Sequence, residues 1–294
     1  MSEPQARTLV SSAQLNRRKI TYRVVLTLVV LAFTLIFIGP LYFLFTDGLK
    51  STTEAVQVPP TIIPAHVHPG TYASAWSRVG LGRLLVNTLY YAFGALAFQL
   101  VFDVAAAYSL SRLRPVLGNL IFALMLATLM IPATVLVVPQ YVTVSDLPLL
   151  HLNLIGSPEA IWLPSVANAF NIFLLKRFFD SIPGDLLAAA AIDGASPLRT
   201  LRSVVLPISR PIIGVVSIFS LVAVWKDFLW PLLVEYGYNP NRETLNVGIF
   251  EAASTTPQNL VLAASAMAAV PTLVFFLIFQ RNILSGLTAG SLKG

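Results

Sequence analysis

Long apolar runs alternate along this chain with short polar interruptions, and the spacing is that of a bilayer rather than of a globular core. Runs near the roughly 20 residues needed to cross a membrane fall at 24–45, 86–110, 117–138, 160–179, 212–234 and 260–284, which predicts six membrane-spanning helices. Two longer polar segments separate some of them on one side. In 46–85, Pro59, Pro60, Pro64 and Pro69 forbid regular helix through the middle, so an extended strap is expected there. In 235–259, Asn239-Pro240-Asn241 marks a turn inside an irregular loop.

Composition turns the pattern into a class. Of 294 residues, 56% are hydrophobic and 11% charged, and the mean hydropathy is +0.77. This is a polytopic, all-α membrane protein whose main surroundings are the lipid bilayer. The net charge of +6 does not imply nucleic acid, because the basic residues sit at the ends of apolar runs. Arg7, Arg17, Arg18, Lys19, Arg23, Arg112, Arg114, Lys176, Arg177, Arg199, Arg202, Arg210, Arg281 and Lys293 would share one side. Lys50, Arg78, Arg83 and Arg242 would share the other. The bias places both termini in the cytoplasm. The first run lacks a small-residue cleavage site after it and is expected to be retained rather than removed as a signal peptide.

Candidate chemistry is sparse. With no cysteine, disulfides, thiolate metal sites and cysteine nucleophiles are excluded. His66, His68 and His151 lie in expected loops with no third ligand near, so no metal site is expected. The tail glycines Gly286 and Gly290 with Lys293 lack phosphate-loop spacing, and no nucleophile elbow or carboxylate cluster suggests an enzyme. Inside the expected spans stand Gln99, Asp103, Asn168, Asn171, Trp225, Lys226 and Asp227, with Trp230 and Pro231 following. A charge at membrane depth must pair or face water and is a functional-site hypothesis. Asp103 reads either as a bond between helices or as a transport residue, and Lys226 either as part of a site or as snorkelling to the interface. Asn168, Asn171, Trp225, Lys226, Asp227 and Trp230 are the candidates for a translocation pathway or outer gate. Pro132 and Pro139 read as kinks.

The most informative stretch is 181–211, a charged island between apolar runs. Pro183-Gly184 breaks the preceding helix, and Asp185 can cap or charge the start of the next one. The alanines 188–191 give a short helix with a smooth face. Gly194 follows Asp193 where a left-handed residue would end that helix, and Ser196-Pro197 starts another. The reading is helix, tight corner, helix on the cytoplasmic side. The bland alternative is an ordinary connection between membrane helices.

Here the residues carry a resemblance. Ile182-Pro183, Ala189-Ala190, Ile192-Asp193-Gly194-Ala195 and Leu206-Pro207 resemble the EAA loop of ABC-importer permeases. Phe173-Leu174-Leu175, the run from Trp225 to Leu232, and the tail from Phe279 to Gly294 are similar to the smaller permease subunit of carbohydrate importers of the maltose-transporter type. The resemblance implies a type I ABC importer permease fold. It implies a cytoplasmic N-terminal segment at 1–23, a six-helix permease domain at 24–284, and a cytoplasmic tail at 285–294. It implies a heterodimer with a second permease, two copies of a cytoplasmic ATPase that use ATP and Mg, and an extracytoplasmic sugar-binding protein. No cofactor would be bound by this chain. Asp185, Ala188, Ala189, Ala190, Asp193, Gly194, Ala195, Leu201, Leu206 and Pro207 would form the ATPase-coupling segment. Three positions depart from the family pattern. Ala188 stands at the motif glutamate, Leu201 where an aromatic is usual, and Lys226 where asparagine is common. Coupling by shape rather than by a salt bridge is therefore expected. A secondary transporter using Asp103 and Asp227 as proton sites is the rival from another class, and the lack of an inverted repeat counts against it. An ABC permease for glycerol phosphate, an amino acid or a peptide is the nearer rival.

Overall fold

The structure, a computed structural model, describes residues 19–239 and 241–289. Residues 1–18, with Arg7, Arg17 and Arg18, and the tail residues 290–294, with Lys293, lie outside the described residues.

The first helix, α1 (Lys19–Asp47), carries its apolar side chains outward along most of its length, as a lipid-facing or subunit-facing helix must. Its outer end is where it is tied down. Lys50, 1% exposed, pairs with Asp47 at 2.5 Å and donates to the Thr61 carbonyl at 2.6 Å. Its own carbonyl accepts from Asn259 Nδ2 at 3.1 Å, and Tyr72 Oη donates to the Phe45 carbonyl at 2.7 Å. After the short α2 (Thr52–Ala55), the proline strap is irregular as expected. It folds back because Glu54 accepts from both Thr61 Oγ1 (2.8 Å) and the Ala65 N–H (2.9 Å). The outer segment is less extended than its prolines suggest, because α3 (Gly70–Val79) follows them. Gly80 closes α3 at φ 70°, and α4 (Leu81–Tyr108) starts five residues before the apolar run that predicts it.

Helix α4 is the central post. Its inner half packs Val104 and Ala107 with Ile172, Leu175, Phe179 and Val216. Its outer half packs Leu81 and Leu84 with Ala75, Leu245, Ala263 and Ala264. Three of the predicted spans are broken. The run 117–138 forms α5 (Gly118–Thr128) and α6 (Ala133–Ser145), bent by 108°. Pro132 lacks an N–H and disfavours helical backbone at Ile131, so the break is more than a kink. The run 160–179 is not one helix either: α7 (Glu159–Trp162) gives way to irregular backbone at 163–168 around Pro164 before α8 (Ala169–Ser181). Asn168 caps α8 by accepting from the N–H groups of Phe170 (3.0 Å) and Asn171 (3.1 Å).

The charged island at 181–211 forms α9 (Gly184–Ile192) and α10 (Pro197–Thr200), a π turn at Leu201–Val205, and α11 (Leu206–Ile208). The fifth run is then split into α12 (Arg210–Lys226) and α13 (Leu229–Val234) by an extended Asp227. The outer loop after it holds a turn in which Arg242 N–H donates to the Asn239 carbonyl at 2.9 Å. It also holds a helix that the turn-rich sequence hides, α14 (Leu245–Ala252). The chain ends its described part in α15 (Gln258–Ala289). Among the described residues, three helices are individually long and apolar enough to span a bilayer, and two bent pairs bring the number to five. The fourth predicted span supplies neither a long helix nor a bent pair of that kind.

Candidate functional site

The three breaks meet. The first turn of α6 (Ala133 and Thr134), the irregular stretch at Pro164 and Ser165, and Asp227 between α12 and α13 all line one cavity of about 270 Å³. Irregular backbone at membrane depth is tolerated only where protein or water satisfies its polar groups, and the chain supplies much of that satisfaction itself. Gln99 Nε2 on α4 donates to the Ser165 carbonyl at 2.9 Å. One turn further, Asp103, fully buried, accepts from the Asn168 N–H at 2.9 Å. Asn246 Nδ2 donates to the carbonyls of Trp225 (3.0 Å) and Asp227 (3.2 Å), which the break releases from α12. The polar residues of α4 are thus braces for the broken helices, and Asp103 is a bond between helices.

The cavity wall is built from aromatic groups held by their polar ends. Trp230 Nε1 donates to the Ala160 carbonyl at 2.9 Å, Trp162 Nε1 to the Tyr91 carbonyl at 3.2 Å, and Tyr91 Oη to Glu235 Oε2 at 2.9 Å. Gly94 makes room for this wall, since a Cβ there would overlap the Trp162 indole. Gln140 and Thr244 complete the lining. Thr244, 3% exposed, keeps its Oγ1 without a hydrogen-bond partner among the described residues. The first turn of α6 also opens with no capping side chain, and its Ala133 and Thr134 line the cavity.

The six pathway candidates separate. Asp227 and Trp230 line the cavity. Trp225 is buried in the outer core, edge-on to Phe275 at 6.1 Å. Lys226 points into a different groove, beside Asn246 and Phe250. Asn168 is the α8 cap, and Asn171 Nδ2 donates to Ser220 Oγ at 3.1 Å, joining α8 to α12; neither lines the cavity. Tyr91, Thr134, Gln140, Ser165 and Thr244 line it unforeseen. The available signal was Pro132 and Pro164, which mark the breaks that bring these residues together.

In the charged island, α9 has no buried residue. Ala188, Ala189, Asp193 and Gly194 are exposed and Ala190 and Ala195 half-buried, while Ile192 and Leu198 are 86% and 73% exposed. Asp185 is exposed in the first turn, but its side chain caps nothing; the N-cap is Pro183. Gly194 takes φ 72°, and the Ala195 N–H closes the helix on the Ala190 carbonyl at 2.9 Å. Ser196 Oγ accepts from the Arg199 N–H at 3.3 Å and starts α10. The base of this projection is fixed. Arg112 donates to the carbonyls of Phe179 and Ile182, Tyr108 Oη donates to the Pro197 carbonyl at 3.0 Å, and Leu201 and Leu206 pack against the inner core. Pro207 is exposed.

On the outer face, Asn87 Nδ2 holds the carbonyls of Asn241 (2.8 Å) and Glu243 (3.0 Å). Burial, then the nearby Glu251 carboxyl, push the Glu243 carboxyl up to about 7 against the pull of Arg83.

A family described as binding-protein-dependent transport system inner membrane component matches residues 100–283, which hold α5 to α14, the cavity breaks and the projection formed by α9 and α10. The chain belongs to this family. The permease is 30% identical over 264 residues to the sn-glycerol-3-phosphate transport system permease protein UgpE of Rhizobium meliloti, covering 86% of this chain and 91% of the relative. It is 30% identical over 257 residues to the melibiose/raffinose/stachyose import permease protein MelC of Bacillus subtilis, covering 87% and 91%. A crystal structure of a bacterial ABC transporter involved in import of the acidic polysaccharide alginate superposes with TM-score 0.75 at 21% identity, over 93% of this chain and 99% of that one. The fold is that of an ABC importer permease, and the permease is a multi-pass inner-membrane transport component, not an enzyme.

Proposed function

We propose that this permease is one of two membrane subunits of an ATP-driven, binding-protein-dependent importer for a sugar or oligosaccharide. It forms half of the translocation pathway and couples to a cytoplasmic ATPase through 181–211. The observation that carries the reading is the projection itself. Helix α9 has no fully buried residue, the apolar Ile192 at its end and Leu198 on α10 stay exposed, and the base of the projection is held by Arg112 and Tyr108. A rigid, small-residue helix with an uncovered apolar rim fits a cleft in another protein. ATP and Mg belong to that partner, which is present twice, and a second permease closes the open side of the cavity. The outer loop around α14 faces an extracytoplasmic binding protein, and both termini lie in the cytoplasm. Glycerol phosphate is the rival solute, because one relative of equal identity is named for it.

The test is co-purification of the tagged chain from mild detergent. A second permease and an ATPase are expected to come with it. A chain that purifies alone and transports in proteoliposomes without ATP would sink the importer reading and favour a secondary transporter.

A further inference from the structure

Resting on the importer reading, the cavity at the three helix breaks also separates the two solute classes. No lysine, arginine or histidine lines it, and its one charged lining group is the Asp227 carboxylate. Lys226, next in sequence, turns into the separate groove beside Phe250. Behind the Tyr91 wall stands a second carboxyl, Glu235, fully buried. Against these acids stands the N-terminus of α6 with its uncapped first turn, equivalent to about half a positive charge, less than the full charge of Asp227 alone. An anion entering here loses hydration and meets a like charge in a poorly screening site.

A neutral polyhydroxylated ring meets a matched surface. Its hydroxyls donate to Asp227, accept from the α6 N–H groups, and do both with Thr134 and Gln140. Its C–H faces lie against Trp230 and Leu229. At about 270 Å³ the cavity is smaller than the roughly 300–1,000 Å³ of a complete ligand pocket, which suits a single sugar unit. We propose that this cavity is a subsite for one uncharged carbohydrate unit and that it rejects anionic solutes such as glycerol phosphate.

The chain has no cysteine, so a single introduced thiol can report the cavity's charge preference without knowledge of the solute. In membranes holding the assembled importer, Gln140→Cys, and separately Ser165→Cys, are reacted with uncharged 2-hydroxyethyl methanethiosulfonate and with anionic 2-sulfonatoethyl methanethiosulfonate. Modification is read on this chain by mass. Ala73→Cys, exposed on the outer face of α3, gives the reference ratio of the two rates. The anionic-to-neutral ratio is expected to fall about tenfold below the reference at the cavity positions, within the range that local fields impose on rates. Adding Asp227→Asn should return it close to the reference. A ratio equal to the reference, one unmoved by Asp227→Asn, or no reaction at either cavity thiol overturns the proposal. The importer reading fails separately, if no ATPase accompanies the chain in those membranes.

Discussion

Gly194 sets the angle between the short helices α9 and α10, and it does so by backbone alone. A Cβ there would meet nothing within 4 Å, so a larger residue pays only for its left-handed φ of 72°, about 1–2 kcal/mol. That cost should not unfold the chain. Gly194→Val is therefore expected to reach the membrane at normal levels yet lose ATP-dependent uptake, while Ala188→Glu, on the exposed face of α9, keeps it. Uptake assays beside quantitative blots check both; uptake surviving in Gly194→Val would remove the docking role. Gly94 is the opposite case, a glycine required by its neighbour. Gly94→Val drives a side chain into the Trp162 indole, and overpacking of this kind costs about 1–3 kcal/mol. A lower melting temperature of the purified complex is the expected readout. The first glycine was legible, since Asp-Gly before Ser-Pro spells a corner. The second was not, because Trp162 lies 68 positions away in sequence and nothing local pairs them.

Broken helices are the lesson at the next scale. Hydropathy averages over a window, so 117–138 and 160–179 read as continuous spans although Pro132 and Pro164 interrupt them. The prolines were visible; that their breaks converge on one cavity is a tertiary fact. The braces were equally hard to assign. Asp103 and Asn168 looked like chemistry because polar groups at membrane depth are costly, and the structure spends Asp103 on the freed Asn168 N–H and the Asn168 side chain on the N–H groups of Phe170 and Asn171 that open α8. Asn246 does the same for α12. Asn246→Ala would leave two carbonyls without their donor, at a cost of about 1–3 kcal/mol for each group that stays unsatisfied. Loss of thermal stability, with uptake falling in parallel, is expected. A variant as stable as the parent would show that water replaces the amide.

Across the whole molecule, the apolar runs were enough for class, while α14 was concealed by its turn-forming flanks. The segment leading into α14 carries a titratable group. The Glu243 carboxyl is raised to about 7 from an unfolded value near roughly 4.3. The folded protein therefore holds this proton more tightly than the unfolded one, and stability falls as pH rises between the two values. The melting temperature of the complex should drop between about pH 4.5 and pH 7, and Glu243→Gln should flatten that part of the drop. An identical pH slope in the variant would mean that Glu251 or another group titrates instead.

The seam at the end of α1 fixes an order of events during synthesis. Lys50 leaves the ribosome early, and its ammonium finds Asp47 and the Thr61 carbonyl close by in sequence. Its carbonyl is held by Asn259, 209 residues later. Until α15 arrives that carbonyl lacks its donor, so this joint between the first helix and the last is among the final ones to close.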